Sequence, residues 1–325
     1  MKHAFIVNLA RAALLALASG MALSASGQNW PVKSGRIVVP FVAGGGTDIQ
    51  GRLFGRKFLE SMGQTFVVDN RGGAGGLIGA EIVAKSPPDG YSILFTTASL
   101  AVGVSLYKKI AFDPVKDLAP VSWVSSAPLV LVVHPSVPAK SVKELVALAR
   151  QHKGRMNAAS NGSGTTSHLA IEMLKQAAGI EVTHIPYKGG GSALTAMLAG
   201  EVDFRFSSAI AVHPHIRSGK VRPLAVTTAR KSAVFPDLPT LASLYPGFEC
   251  DNWYAMFLPA GTPKEIVTKL NGEVLKALKS PDMREFITKE GAEPVGSSPE
   301  ELAAYFKREV DKYAKIIKAA QVQVE

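Results

Sequence analysis

The chain of 325 residues contains a single cysteine, Cys250. No disulfide can form within it, and no cysteine follows the N-terminal segment to carry a lipid anchor. Stability must therefore come from core packing, which a chain of this length can supply. Beyond the N-terminal segment no apolar run reaches the roughly 20 residues of a membrane span. No lysine-bearing phosphate loop of the Walker type occurs. No basic stretch is interleaved with aromatics, which excludes the usual nucleic-acid surfaces. His213 and His215 flank Pro214 with no third ligand at hand, a poor zinc set that reads better as a surface turn. Nothing around Cys250 would activate a thiol, so it reads as a small core residue.

What is present begins with residues 1–27. Lys2, His3 and Arg11 make a positive region, Ala12 to Leu23 an apolar run, and Ser24 to Gly27 a small, weakly polar exit. This order predicts a secretory signal peptide, cut after Gly27, with Ser24 as the competing site. The remaining chain of about 298 residues suits two domains. The net charge of +10 falls to +8 once Lys2 and Arg11 are removed. The basic residues are scattered along helices, so they read as a solvated surface with a modest bias toward anions.

Strands and helices then alternate. Ile37–Phe41, Gln64–Asp69 and Tyr91–Phe95 read as strands, separated by helices that carry Leu53, Phe54 and Phe58, then Leu77, Ile78 and Ile82. This rhythm predicts a parallel sheet covered on both faces. It restarts with the strand Leu129–Val133 and a helix opened by the capping box Ser141 and Glu144. Strands at Met156–Ala159, Val182–Pro186, Val202–Phe206 and Leu224–Thr227 follow. After the strand Trp253–Pro259 helices dominate, Thr262–Lys279 and a last one from Pro299, expected to return over the first lobe. The reading is α/β with two lobes, residues 28–125 plus 250–325 and residues 126–249. The crossovers fall near Val121–Ser126 and Phe248–Asn252. Ligands of such folds sit between the lobes, at the carboxyl ends of strands.

Three strand-to-helix loops could hold an anion: Phe41 to Asp48, Ser160 to Ser167, and Tyr187 to Ser192. Glycine lets backbone approach a ligand, and free amides at a helix N-terminus attract carboxylate or phosphate. Ser163, Thr165 and Thr166 add hydroxyl donors. Ordinary tight turns capped by Thr47, Asp48 and Thr165 would look the same. Gly73 to Gly79 resembles a dinucleotide loop, but Ile78 occupies the place of the last glycine, so no cofactor is expected. Ser163 and His168 are the one conceivable hydrolytic pair, without the surrounding nucleophile-elbow pattern. Trp253 reads as core between lobes, and Tyr254 fits either core or site.

Together these stretches resemble the substrate-binding receptors of tripartite tricarboxylate transporters, the Bug receptors. The resemblance rests on Val38-Val39-Pro40-Phe41 with Gly44 to Asp48, Asp69-Asn70-Arg71 with Gly73 to Gly76, Pro88 to Tyr91, Pro186 to Gly189, Leu224 to Thr227, Pro236 to Thr240 and Pro259 to Pro263. It implies a type II Venus-flytrap binding protein with doubly wound sheets, its C-terminal helices packed on the first lobe. It implies a periplasmic receptor for a small carboxylate, working as a monomer with one large and one small membrane subunit. A sensor serving a signalling partner would use the same cleft. The implied ligand contacts are Phe41, Val42, Ala43, Gly44, Gly45 and Thr47; Ser99; Ser163, Thr165 and Thr166; Lys188 and Gly189; and Ser207 and Ser208. Asp48 is expected to be structural, since a carboxylate there would repel an anion. Two departures stand out. Ser207-Ser208 replaces an aspartate common in relatives, which argues against an amino-acid ligand. Arg205 stands where an apolar residue is usual, either facing the ligand or paired with Asp203 or Glu201.

Overall fold

The computed structural model describes residues 30–107, 109–289, 291–319 and 322. The expected signal peptide lies outside them. In chain order the elements are β1 (Gly35–Val39), α1 (Gly46–Met62), β2 (Phe66–Asn70), α2 (Leu77–Ala84), β3 (Ser92–Thr97), α3 (Ser99–Leu106) and β4 (Leu118–Ala127). Next come β5 (Leu129–Val133), α4 (Val142–His152), β6 (Asn157–Ser160), α5 (Thr166–Ala178), β7 (Thr183–Pro186), α6 (Gly190–Ala199), β8 (Phe204–Ser208), α7 (Ala209–Arg217) and β9 (Arg222–Val226). The chain ends with β10 (Asn252–Pro259), α8 (Lys264–Lys279), α9 (Pro281–Lys289), β11 (Glu293–Pro294) and α10 (Pro299–Ala319).

Two sheets form. The first has the order β11-β4-β10-β3-β1-β2, the second β7-β6-β8-β5-β9. Apolar runs at β1 and β3 pair parallel, as their burial on both faces requires. The sheets are not wholly parallel, however. β10 runs antiparallel to both β3 and β4, and β5 runs antiparallel to both β8 and β9. The alternating rhythm did not show this, because each reversed strand pairs with partners far away in sequence. Val121–Ser126, read as a crossover, is the interior of β4. The step to the second sheet falls at Pro128, between Ala127 and Leu129.

The first core lies between sheet and helices. On α1, Phe54 and Phe58 face inward one turn apart and meet Phe95 and Phe66, with ring centroids 5.8 and 5.7 Å apart. Each such ring contributes about 1.5–3 kcal/mol by leaving water. Gly63, in the left-handed region at φ 70°, ends the helix. The last helix, α10, begins with the reciprocal bonds expected of a capping box. Ser298 Oγ accepts from Glu301 N–H and Glu301 Oε2 accepts from Ser298 N–H. It packs Phe306 on Trp253 and Phe257 of β10, and it also reaches the second sheet's helices, where Gln176 Nε2 donates to Ala319 O. Trp253 is thus core, with its Nε1–H donated to buried Glu309. Cys250 is fully buried, and burial pushes its thiol far above the ordinary range. The segment around Pro214 is not a turn but the helix α7, held by buried Ala209, Ile210, Ala211 and Val212.

Candidate ligand site

Loops from both sheets converge on one cavity of about 20 Å³, close to the volume of a single water. The first sheet contributes Phe41, Gly45, Gly46 and Thr47 after β1, Thr97 at the end of β3, and Asn252 and Tyr254 of β10. The second contributes Asn161 after β6, Gly190 at the start of α6, Arg205, Ser207 and Ser208 of β8, and Ala211 of α7. The two halves are pressed together. Val42 N–H donates to Lys188 O at 3.4 Å, Tyr107 Oη–H donates to Ser163 O at 3.0 Å, and Ser208 Oγ lies 2.6 Å from Tyr254 Oη. A Cβ on Gly191 would overlap the carbonyl oxygen of Ala43.

The first glycine loop is held from behind. Asp48 is buried, its Oδ2 accepting from Gly44 N–H at 3.0 Å and from Arg52 Nε, its Oδ1 from Asn70 Nδ2. Burial alone would raise its carboxyl. Bonds from Arg52, Gly44 and Asn70 outweigh that and hold it below the ordinary value. Asp48 therefore shapes the loop, as its charge suggested. The helix that follows, α1, has Gly45 at its N-cap and no side chain capping it. The same is true of α6 after Gly189 and of α7 after Ser208, whose hydroxyl is turned to Tyr254. Three helix starts without side-chain caps thus have residues at the cavity wall, although the first amide of α7, Ala209 N–H, already donates to Pro128 O at 3.3 Å.

The expected site residues divide. Phe41, Gly45, Thr47, Ser207 and Ser208 meet at this cavity. Val42 and Gly189 lie at the seam between the halves, and Ala43 and Gly44, though exposed, face Gly191 across the same seam. Ser163 and exposed Lys188 line a second cavity of about 310 Å³, with Tyr107 and the glycines from Gly73 to Gly76. Ser99, Thr165 and Thr166 are buried and already engaged. Thr165 Oγ1 donates to Gly162 O at 2.7 Å and accepts from His168 N–H. Thr166 N–H donates to Ser99 Oγ, and Thr166 Oγ1 to Asn252 Oδ1, both at 3.3 Å. Sequence reasoning missed Thr97, Ala211 and Asn252. Thr97 sits at the carboxyl end of a strand, where ligands of such sheets bind, so that rule could have found it. Asn252 was hidden because β10 enters the sheet reversed.

Arg205 is the largest polar side chain at the cavity and is almost fully buried. Its Nη1 donates to Gly190 O at 3.2 Å and its Nη2 to Asn161 Oδ1 at 2.8 Å. The pairing with Asp203 does not form, because Asp203 accepts from Asn157 N–H instead. Burial pulls the guanidinium down to about 9, a large fall for arginine. Its Nε and the Ser207 hydroxyl have no hydrogen-bond partner. The Ser163–His168 pair does not assemble either: His168 Nδ1 accepts from Gly164 N–H, and its ring stacks on His184 at 4.2 Å. No described group of three or more His, Cys, Asp or Glu side chains could hold a metal ion. No described helix is long and apolar enough to cross a membrane.

The chain is similar to known proteins in sequence and fold. Residues 52–322 match the family model described as the tripartite tricarboxylate transporter family receptor. The chain is 37% identical over 303 residues to the protein BugT of Bordetella pertussis, covering 92% of this chain and 93% of that one. Among solved structures, the periplasmic binding protein BugD superposes with a TM-score of 0.88 at 36% identity, over 91% of this chain and all of that one. A protein of R. palustris solved with adipate gives 0.87 at 36% identity, over 90% of this chain and 99% of that one. MatC from Rhodopseudomonas palustris, with bound malate, gives 0.84 at 32%, over 89% and 100%. The match along most of the chain and the shared fold show the family: this protein belongs to the tripartite tricarboxylate transporter receptor family.

Proposed function

We propose that this chain is an exported periplasmic receptor that closes two lobes on a small carboxylate and delivers it to the large and small membrane subunits of a tripartite transporter, without turnover. The lobes are the first sheet with its helices, through Ala127 and again from Asn252, and the second sheet with its helices, from Leu129 through β9. The receptor works as a monomer. One observation carries the reading: the uncapped starts of α1, α6 and α7, from both sheets, lie around one cavity, which holds about one water with the halves pressed together and widens for a ligand as the lobes part. Relatives solved with adipate and with malate support a carboxylate as the ligand.

Magnitudes test whether this suffices. A helix start stabilises an anion by about 0.3–1 kcal/mol when exposed and up to about 2 when partly buried. Three of them supply about 1–6 kcal/mol, against roughly 4 for millimolar and 8 for micromolar binding. Hydroxyls of Thr47, Thr97 and Ser208 can add about 1 kcal/mol each, for a gross sum of about 4–9 kcal/mol that spans the millimolar to micromolar range before the cost of immobilising the ligand. A hydrolase is disfavoured by geometry, since the His168 lone pair at Nδ1 is taken by a backbone amide.

Native mass spectrometry of the purified protein, followed by a thermal-shift panel of carboxylates, tests the proposal. A ligand at 100 times its dissociation constant adds about 2.7 kcal/mol to the folded state. Stabilisation by one or more carboxylates, with the ligand recovered unchanged, is the expected result. A panel in which only neutral sugars or metal ions act would overturn it.

A further inference from the structure

Arg205 lies on the middle strand of the second sheet, flanked by Val132 of β5 and Ala159 of β6. Strand alternation turns it away from Phe204 and Phe206, toward the face where Ser207 also points. That face is otherwise apolar, built from Val130, Val132, Ala159 and Leu194. A guanidinium there has given up water, and among the described residues no carboxylate lies within ion-pair reach of it. Both of its present acceptors are neutral. Of five N–H donors, two are used, so three remain, including the Nε–H. The unpartnered Ser207 hydroxyl stands two residues along the same strand face, and both residues line the cavity. Buried charges are normally paired, because the cost of taking an ion out of water is repaid only by a partner charge and further hydrogen bonds.

We propose that Arg205, with Ser207 beside it, is the specificity-determining cation of this receptor: it receives a second acidic group of the ligand, so that the site selects dianions over monocarboxylates. The inference rests on the cavity being the carboxylate site. The first acid group is met by the helix starts, which carry only partial charge. The second meets a full charge with a planar fork suited to a carboxylate, and it supplies the counter-ion that the fold withholds. Gly190 and Asn161 hold the fork in place from two loops, so little side-chain entropy remains to be lost on binding.

The test uses linear α,ω-dicarboxylates of three to eight carbons and the monomethyl ester of each, titrated calorimetrically into the protein after unfolding, refolding and dialysis to remove retained ligand. Wild type should bind at least one diacid roughly 10- to 100-fold more tightly than its monoester, the value of a charge-assisted pair. Arg205→Met and Arg205→Gln should bring the diacid down to the monoester's affinity while monoester binding changes little, and Arg205→Lys should fall between. The unliganded Arg205→Met protein should melt no lower than wild type. Equal loss of diacid and monoester, or a clear fall in the unliganded melting temperature, would make Arg205 a structural strut and overturn the inference. So would a wild type that binds diacid and ester alike. If wild type binds neither, the carboxylate reading of the cavity itself fails, and this inference with it.

Discussion

His168 and His184 stack face to face beside the second-lobe loop, and burial, more than any nearby charge, holds both near pKa 4. The ordinary value of about 6.5 applies once the chain unfolds. Between pH 6.5 and 4 the unfolded chain therefore takes up protons that the folded one refuses, and stability falls as the pH drops through that window. Urea midpoints measured from pH 7 to 4.5 should fall, and His184→Gln should flatten the decline. An unchanged slope would show that other groups control it. The sequence offered His168 as half of a hydrolytic pair without its surrounding pattern, and the structure packs it against His184 with Nδ1 accepting from Gly164 N–H. The stack with His184 was not legible, because their partner strands and helix meet only across β6 and β7. Arg205 was equally ambiguous: its strand face could be read by alternation, but not the distance to Asp203.

At the scale of elements, the loop from Ser160 to Thr166 shows why a hydroxyl-rich turn is not yet a site. Thr165 caps α5 and closes its own loop onto Gly162. Thr165→Val should cost about 1–2 kcal/mol of stability, measured by denaturant unfolding, through the lost cap. Its effect on affinity should be small by comparison. A large loss of affinity at unchanged stability would put the hydroxyl back in the site. The uncapped helices α1 and α6 behave in the opposite way, since glycine at the N-cap leaves their amides for something else. Both glycine loops were legible from sequence, whereas α7 was not. Pro214 argued for a turn there, but four buried apolar residues ahead of it outweigh the lost hydrogen bond. β4 was missed for a similar reason: Pro120 and its serines obscure a strand whose partners lie more than 100 residues away.

At the scale of the whole molecule, Gly191 tests closure. It is the second residue of α6, its φ is not left-handed, and an alanine there suits a helix. Only the Ala43 carbonyl across the cleft forbids a side chain. Gly191→Ala should fold normally and melt no lower than wild type without ligand. Its affinity for the ligand should fall about 10- to 100-fold, the cost of overpacking a tight contact. Small-angle scattering with ligand present should show a larger radius of gyration than wild type. An undiminished affinity would mean that the lobes need not meet at this point.

Local information was enough for much of this protein: the α/β rhythm, the caps, the glycine loops before helices and the resemblance that named the family. All of these depend on residues within about one element of each other, where periodicity and backbone preference act directly. Three things required the folded chain. They are the reversal of β5 and β10, the choice of which loops share the cavity, and the isolation of Arg205 from any acid among the described residues. Each depends on contacts between segments distant in sequence, set by how the two cores pack, and no local preference encodes them.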